Sequence, residues 1–280
     1  MYNFKGKVAI VTGAAAKQGM GRGIAVALAR GGADVAVFDK FEAPPSLYAG
    51  DEGWHGLSDV AKEIMSLGRK ALAVKADVSN SKEVNDAVQK TLNTLDRIDI
   101  LVNCAGLVGK RDTRVVDMTD EDWRFTIDVN LTGSFFISRA VARHMIKRSG
   151  GGKIVHFSSM QGKVGGATVA HYAASKFGVI GLVQSLALEL APYKINVNAI
   201  CPGYIITNIR DAWLKDQAAA AGISVDEMRT KRYDEKASTV PLGRSGTVED
   251  IVNLTLFLVS DKSDYMTGQA VNLTGGVTMY

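Results

Sequence analysis

Cysteine, proline and histidine are scarce here, at 2, 5 and 4 of 280 residues. With only Cys104 and Cys201 and no secretion leader, a disulfide framework is excluded, and a cytoplasmic chain with two free thiols is expected. Both cysteines lie in apolar, strand-like runs, where a small buried side chain is the ordinary role. The histidines, His55, His144, His156 and His171, have no Cys, Asp or Glu at ligand spacing around them, so no metal site is expected. His156 reads as a satisfied interior residue. Too few prolines are present for a Pro-rich linker. Neither sign of charge dominates: 33 Lys+Arg against 29 Asp+Glu leave a net +4, scattered along the chain. That argues against nucleic acid or a membrane surface as partner. No run approaches the ~18 apolar residues of a membrane span, and the apolar run Val8 to Val11 is too short for a signal-peptide core.

What is abundant is apolar residues, 46%, enough for a large core, and glycine, about one residue in ten against ~7% on average, which signals close backbone approach. Short apolar runs alternate with amphipathic stretches throughout. Strands are expected at Lys7 to Val11, Asp34 to Phe38, Ala71 to Lys75, Ile98 to Val102, Lys153 to Phe157, Lys194 to Ala199 and Ala270 to Leu273. Helices are expected at Gly21 to Arg30, Lys82 to Leu95, Thr119 to Lys147, Tyr172 to Leu190 and Val248 to Val259. Continuous apolar strands alternating with helices imply an α/β fold, a Rossmann-type doubly wound parallel sheet with helices on both faces. With no composition shift, residues 1–280 read as one domain. Two segments break the alternation: residues 41–57, with Pro44-Pro45 and several glycines, read as an inserted loop, and residues 207–240 as a helical insertion on the ligand side of the sheet.

The first expected strand runs directly into Thr12-Gly13-Ala14-Ala15-Ala16-Lys17-Gln18-Gly19-Met20-Gly21, followed by a helix. Glycines at such a turn let the backbone approach a pyrophosphate, met by free amides and the helix dipole. Asp39 closes the second strand about 18 residues past Gly21, near the spacing of a carboxylate that accepts from an adenosine ribose. A carboxylate there repels a 2′-phosphate, which favours NAD; Lys17 or Lys40 could pair with that phosphate, which keeps NADP open. Tyr172 and Lys176 are one helical turn apart and share a face, with Ser159 upstream after an apolar strand and Asn130 before that.

Together with Asp77-Val78, Asn103-Cys104-Ala105-Gly106, Pro202-Gly203, Thr207 and Gly268-Gln269, these motifs stand in the order found in short-chain dehydrogenases/reductases, which the chain resembles over essentially its whole length. It departs from the pattern in having five residues between Gly13 and Gly19 instead of three, and Cys104 for a common second Asn. The resemblance implies that Tyr172 is the general acid/base, that Lys176 activates it and bonds the nicotinamide ribose, that Ser159 holds the substrate oxygen, and that Asn130 anchors a relay water through its backbone. It also implies cofactor contacts from Asp77, Val78, Asn103, Ala105, Gly106, Ile205 and Thr207, with Pro202 and Gly203 beside them, in addition to Gly13, Lys17, Gly19, Met20, Gly21 and Asp39 of the glycine turn and second strand. A free phenol titrates near 10, too high for a neutral-pH base, so a nearby ammonium is needed to lower it.

The expected activity is therefore an NAD-dependent interconversion of a secondary alcohol and a ketone, or a hemiacetal and a lactone, on a small polar molecule such as a sugar or polyol. Around the substrate we place Gln161, His171, Tyr204 and Trp213 beside Ser159, with Met160, Lys163, Asn208 and Arg210 as further candidates. Alternatives are an NADPH-dependent carbonyl reductase, a dehydrogenase of cyclic or terpene alcohols, and a non-catalytic nucleotide sensor, which would need none of the four polar residues. A methyltransferase would leave Tyr172 and Lys176 unexplained. The resemblance also implies a homotetramer.

Overall fold

In the computed structural model the described residues are 2–43, 51–207 and 211–280. Seven strands, β1 (Val8–Thr12), β2 (Asp34–Asp39), β3 (Ala71–Lys75), β4 (Ile100–Asn103), β5 (Gly152–Phe157), β6 (Ile195–Pro202) and β7 (Ala270–Leu273), form one sheet. Its order is β3-β2-β1-β4-β5-β6-β7, and every pairing is parallel. Side chains alternate faces along a strand, so each face buries its own half of each apolar run. Val8 and Ile10 of β1 pack with α3 (Ser81–Leu95), α5 (Gly133–Arg148) and α6 (Ala170–Leu190) through Val84, Ile137, Val141 and Val179. Ala9 and Val11 pack on the opposite face with α1 (Met20–Arg30), α2 (Leu57–Ser66) and α9 (Val248–Leu258) through Ile24, Leu28, Ile64 and Ile251.

The strand order reverses direction at β1, which lies between β2 and β4. Loops leaving the carboxyl ends of these strands diverge there and open a crevice. The stretch expected as one helix over Thr119 to Lys147 is divided into α4 (Asp120–Ile127), a π-helical turn (Asp128–Thr132) and α5. Periodicity does not betray the break, because a π turn inserts one residue without ending the helix. The region 207–240 holds α7 (Asp211–Ala221) and α8 (Val225–Ala237), which share a small core of Leu214, Ala218 and Met228. Ser224 and Glu227 cap α8 reciprocally.

Residues 44–50, with Pro44 and Pro45, lie outside the described residues, but the base of the 41–57 insertion is closed. Leu57 N–H donates to Glu42 O at 2.8 Å. Gly56, at φ 64°, is pressed so close to Glu42 O that a Cβ would lie 1.9 Å from it. The segment Ala170–Tyr193 is long and apolar enough to cross a membrane, yet in the fold Val179, Val183, Ala187 and Leu190 of α6 are spent on the core.

Candidate active site

Gly13 leaves β1 at φ 66°, and a Cβ on it would sit 2.8 Å from Ala105 N. A Cβ on Gly21 would sit 2.3 Å from Gly13 O. The turn is thus packed flat between α1 and the loop after β4. The N-cap of α1 is Gly19, with no side-chain cap and no acidic residue in the first turn, which leaves free N–H groups and the positive dipole end for an anion. The longer stretch, Ala14 to Gln18, is held from outside. Trp54 Nε1 donates to Ala15 O at 2.8 Å, Arg22 donates to Lys17 O at 2.9 Å, and Arg22 forks onto Glu63 at 2.7 and 3.0 Å. These two extra residues carry Lys17 outward, where its ammonium lies 3.8 Å from Asp51 and 5.9 Å from the Trp54 ring centre. Contrary to expectation, Lys17 is not among the residues lining the crevice.

That crevice, about 280 Å³, is lined by Gly13, Gly19, Met20, Gly21, Asp39, Asp77, Val78, Ala105, Gly106 and Thr207 among others. Asp39 Oδ2 accepts from Ala15 N and Oδ1 from Phe41 N, each at 3.1 Å. Burial pushes its carboxyl above the usual range, against the backbone N–H groups of Phe41, Ala15 and Lys40. Lys40 is drawn 2.8 Å from Asp77 Oδ2. For Asp77 burial works upward, but the bonds from Lys40 and Ser79 outweigh it and hold the carboxyl below its ordinary value.

Asn103 differs from its expected place against a cofactor. Its side chain turns inward, accepting from Thr12 Oγ1 at 2.6 Å, donating to Ser134 Oγ at 3.0 Å and meeting His156 Nδ1 at 3.2 Å. Thr12 Oγ1 in turn accepts from Ala105 N at 3.0 Å. Asn103 therefore fixes the Ala105-Gly106 backbone from behind, as the strong cost of an unpaired buried amide requires. His156 completes the network with Ser138 at 2.7 Å; burial, with Lys176 nearby, lowers its pKa to about 3.

Tyr172 and Lys176 stand in the first turns of α6, one above the other. Lys176 Nζ donates to Phe157 O at 2.8 Å and lies 5.7 Å from the Tyr172 ring centre. Burial lowers its pKa to about 8. Ser159 Oγ accepts from Gln161 N at 3.1 Å, which orients the hydroxyl at the end of β5. Asn130, in the π turn, brackets Leu107: Oδ1 accepts from its N–H and Nδ2 donates to its carbonyl, both at 2.9 Å. Nδ2 also donates to Ser175 Oγ, which donates to Tyr172 O. The Asn130 carbonyl, expected to hold a water, accepts the Ser134 hydroxyl at 2.6 Å.

A second cleft of about 270 Å³ contains Ser159, Gln161, Tyr172, Lys176, Pro202, Gly203, Tyr204 and Ile205, and it shares Met20, Cys104, Gly106 and Thr207 with the first. Met160 lines it as well, whereas Lys163 does not. His171 is misplaced by the sequence reading: it is fully buried, its ring packs against Gly109, and it does not line the cleft. Successive helical residues point about 100° apart, and with Tyr172 turned to the cleft His171 is turned into the interior. Trp213 also stays off the lining. Its indole donates to Asp112 Oδ2 at 3.1 Å, with the Arg111 and Arg232 guanidinium groups 4.8 and 5.6 Å from the ring centre, so it fastens α7 to the loop after β4. Asn208 and Arg210 lie outside the described residues.

Three residues of the site have no local sequence signal. Arg111 and Lys236 line the second cleft. Buried Tyr233 on α8 binds the chain that leaves β6: its hydroxyl accepts from Thr207 N at 3.2 Å and meets the carbonyls of Ile205 and Thr207 at 3.1 and 3.2 Å. The adjoining clefts thus offer a glycine turn with an uncapped helix start and two carboxylates at one end. At the other they offer a phenol, a hydroxyl and an ammonium, the parts of a proton-transfer site.

A family model described as enoyl-(acyl carrier protein) reductase matches residues 13–278. A 2-dehydro-3-deoxy-D-gluconate 5-dehydrogenase of Dickeya dadantii is 33% identical over 275 residues, 98% of this chain and 96% of that protein. The carveol dehydrogenase of Mycobacterium avium, solved in complex with NAD, superposes with a TM-score of 0.87 at 31% identity, covering 99% of each chain. An NAD+-bound xylitol dehydrogenase gives a TM-score of 0.81 at 30% identity, covering 98% of this chain and 99% of that one.

Proposed function

Because the chain belongs to the short-chain dehydrogenase/reductase family, we propose that it is an NAD-dependent oxidoreductase interconverting a secondary alcohol and a ketone on a small, polar, hydroxylated molecule. The observation that carries this reading is the convergence of Ser159, Tyr172 and Lys176 in one cleft, continuous with the glycine-lined crevice. That crevice fits a dinucleotide: the uncapped start of α1 suits the pyrophosphate, and Asp39 and Asp77 suit the adenosine half. Gly106 suits a flat group laid against the cleft, since even a Cβ there would lie 3.1 Å from Asn130 Oδ1 and 3.3 Å from Lys176 Nζ. The nicotinamide, when bound, supplies the hydride acceptor or donor.

The chain's own residues manage the proton. Ser159 holds the substrate oxygen within reach of Tyr172. The Lys176 charge stabilises the phenolate of Tyr172, which then takes the hydroxyl proton of the alcohol and, in reverse, returns it to the forming alkoxide. Ser175 and Asn130 hold the helix turn that carries the tyrosine. Asp39 favours NAD over NADP by meeting a 2′-phosphate with like charge. The named substrates of the relatives range from a sugar acid to a polyol and a terpene alcohol, and the polar lining of the cleft supports the hydroxylated end of that range. Exposed Phe135 on α5, with Phe177 and Leu188 on α6, supports a homotetramer that covers them, and the two free thiols support a cytoplasmic setting.

The test is absorbance at 340 nm with NAD and a panel of secondary alcohols. The Tyr172→Phe variant is expected to lose turnover by at least ~100-fold while NADH binding, followed by fluorescence, persists. A variant keeping more than about a tenth of the wild-type rate at every pH would falsify the assigned acid/base.

A further inference from the structure

The charged residues among the described lining of the second cleft are all basic. Arg111, from the loop after β4, and Lys236, from α8, both line it beside Tyr172 and Ser159, and no aspartate or glutamate is among its described lining residues. Each cation is held in position by an aromatic ring: Arg111 lies 4.8 Å from the centre of Trp213, and Lys236 lies 5.2 Å from that of Tyr204. Asp112, the carboxylate next to Arg111 in sequence, takes the Trp213 indole N–H and is not part of the lining. Lys176 adds a third positive group at the floor.

A small cleft that gathers cations in low-dielectric surroundings focuses a positive potential, and a ligand of opposite charge gains most by entering it. The guanidinium can fork onto a carboxylate while the ammonium adds a point charge.

Resting on the dehydrogenase reading above, we infer that the substrate carries a carboxylate, bound between Arg111 and Lys236 while its secondary hydroxyl meets Ser159 and Tyr172. The substrate class is then a hydroxy acid or oxo acid of the sugar type, and the two cations determine specificity between it and the corresponding polyol.

The test uses matched pairs that differ only at one end: aldonates of four to six carbons and the polyols of the same skeleton, such as gluconate and glucitol. Binding of each to the wild-type protein with saturating NAD is measured by calorimetry, and turnover is measured in parallel. The best aldonate is expected to bind at least ~10-fold more tightly than its polyol, as one charge-assisted contact is worth about that factor or more. The ratio of kcat/KM for the pair should fall about tenfold in Arg111→Gln and in Lys236→Gln, and should shrink with added salt. Polyols or cyclic alcohols bound as well as every aldonate, or a preference unchanged in both variants, would overturn the carboxylate subsite and leave the dehydrogenase reading standing. Selective aldonate binding without turnover of any alcohol would support the subsite and sink the dehydrogenase reading instead.

Discussion

Lys176 shows how one residue's burial sets both chemistry and stability. Its ammonium is 5% exposed and its pKa is lowered by burial from 10.5 to about 8. Below pH 8 the folded and unfolded states are both charged, and the folded state bears the full desolvation cost. Between about 8 and 10.5 the folded state gives up its proton first, so the unfolded state binds more protons and stability rises with pH. Urea unfolding from pH 7.5 to 10.5 should show the wild type gaining up to ~3 kcal/mol relative to Lys176→Met across that window; parallel curves would mean that the buried ammonium keeps the pKa it has in the unfolded chain. For Asp39 the proposed role is the choice of cofactor. Asp39→Ser should narrow or reverse the NAD preference in kcat/KM, a change of roughly 10-fold or more, since a like-charge clash of several kcal/mol is removed. Equal use of NAD and NADP by the wild type would mean that the carboxylate does not meet the ribose, and its bonds to Ala15 and Phe41 would then be its whole role. Tyr172, Lys176 and Ser159 are legible in the sequence because they stand in a familiar order with the other motifs; the four-residue helical spacing alone only puts Tyr172 and Lys176 on one face. His171 is not, because adjacency in sequence says nothing about which way a helix is rotated.

At the level of elements, the central strands are legible because burial on both faces, complete in β1 and β4, demands unbroken apolar runs; the partly buried edge strands β3 and β7 also fall where their runs do. β6 continues three residues past Ala199 to Pro202, since pairing with β7 holds it through Pro202↔Leu273. The π turn around Asn130 is invisible to periodicity, and so is the outer support of the glycine turn, which depends on Trp54 and Glu63 reaching back across the fold. That support is itself testable. Trp54→Ala removes the bond to Ala15 O and the wall beside Lys17, so NAD should bind about 5- to 10-fold more weakly while kcat changes little. A large fall in kcat at unchanged NAD affinity would place the insertion's influence at the chemistry instead.

For the whole molecule, the long-range pieces are the ones sequence reading leaves blank. Arg111, Lys236 and Tyr233 acquire meaning only when the α7–α8 segment folds back over the carboxyl ends of β4 and β6. Their partners are fixed by topology and not by spacing. One further property follows from the way the two clefts meet. Met20, Cys104, Gly106 and Thr207 belong to both, so an occupant of either becomes part of the wall of the other. The two affinities are consequently not independent quantities: whatever free energy one ligand contributes to the binding of its neighbour, the neighbour returns in equal measure. The shared wall makes the pair of clefts a thermodynamically linked system, in which cofactor and substrate each report on the presence of the other.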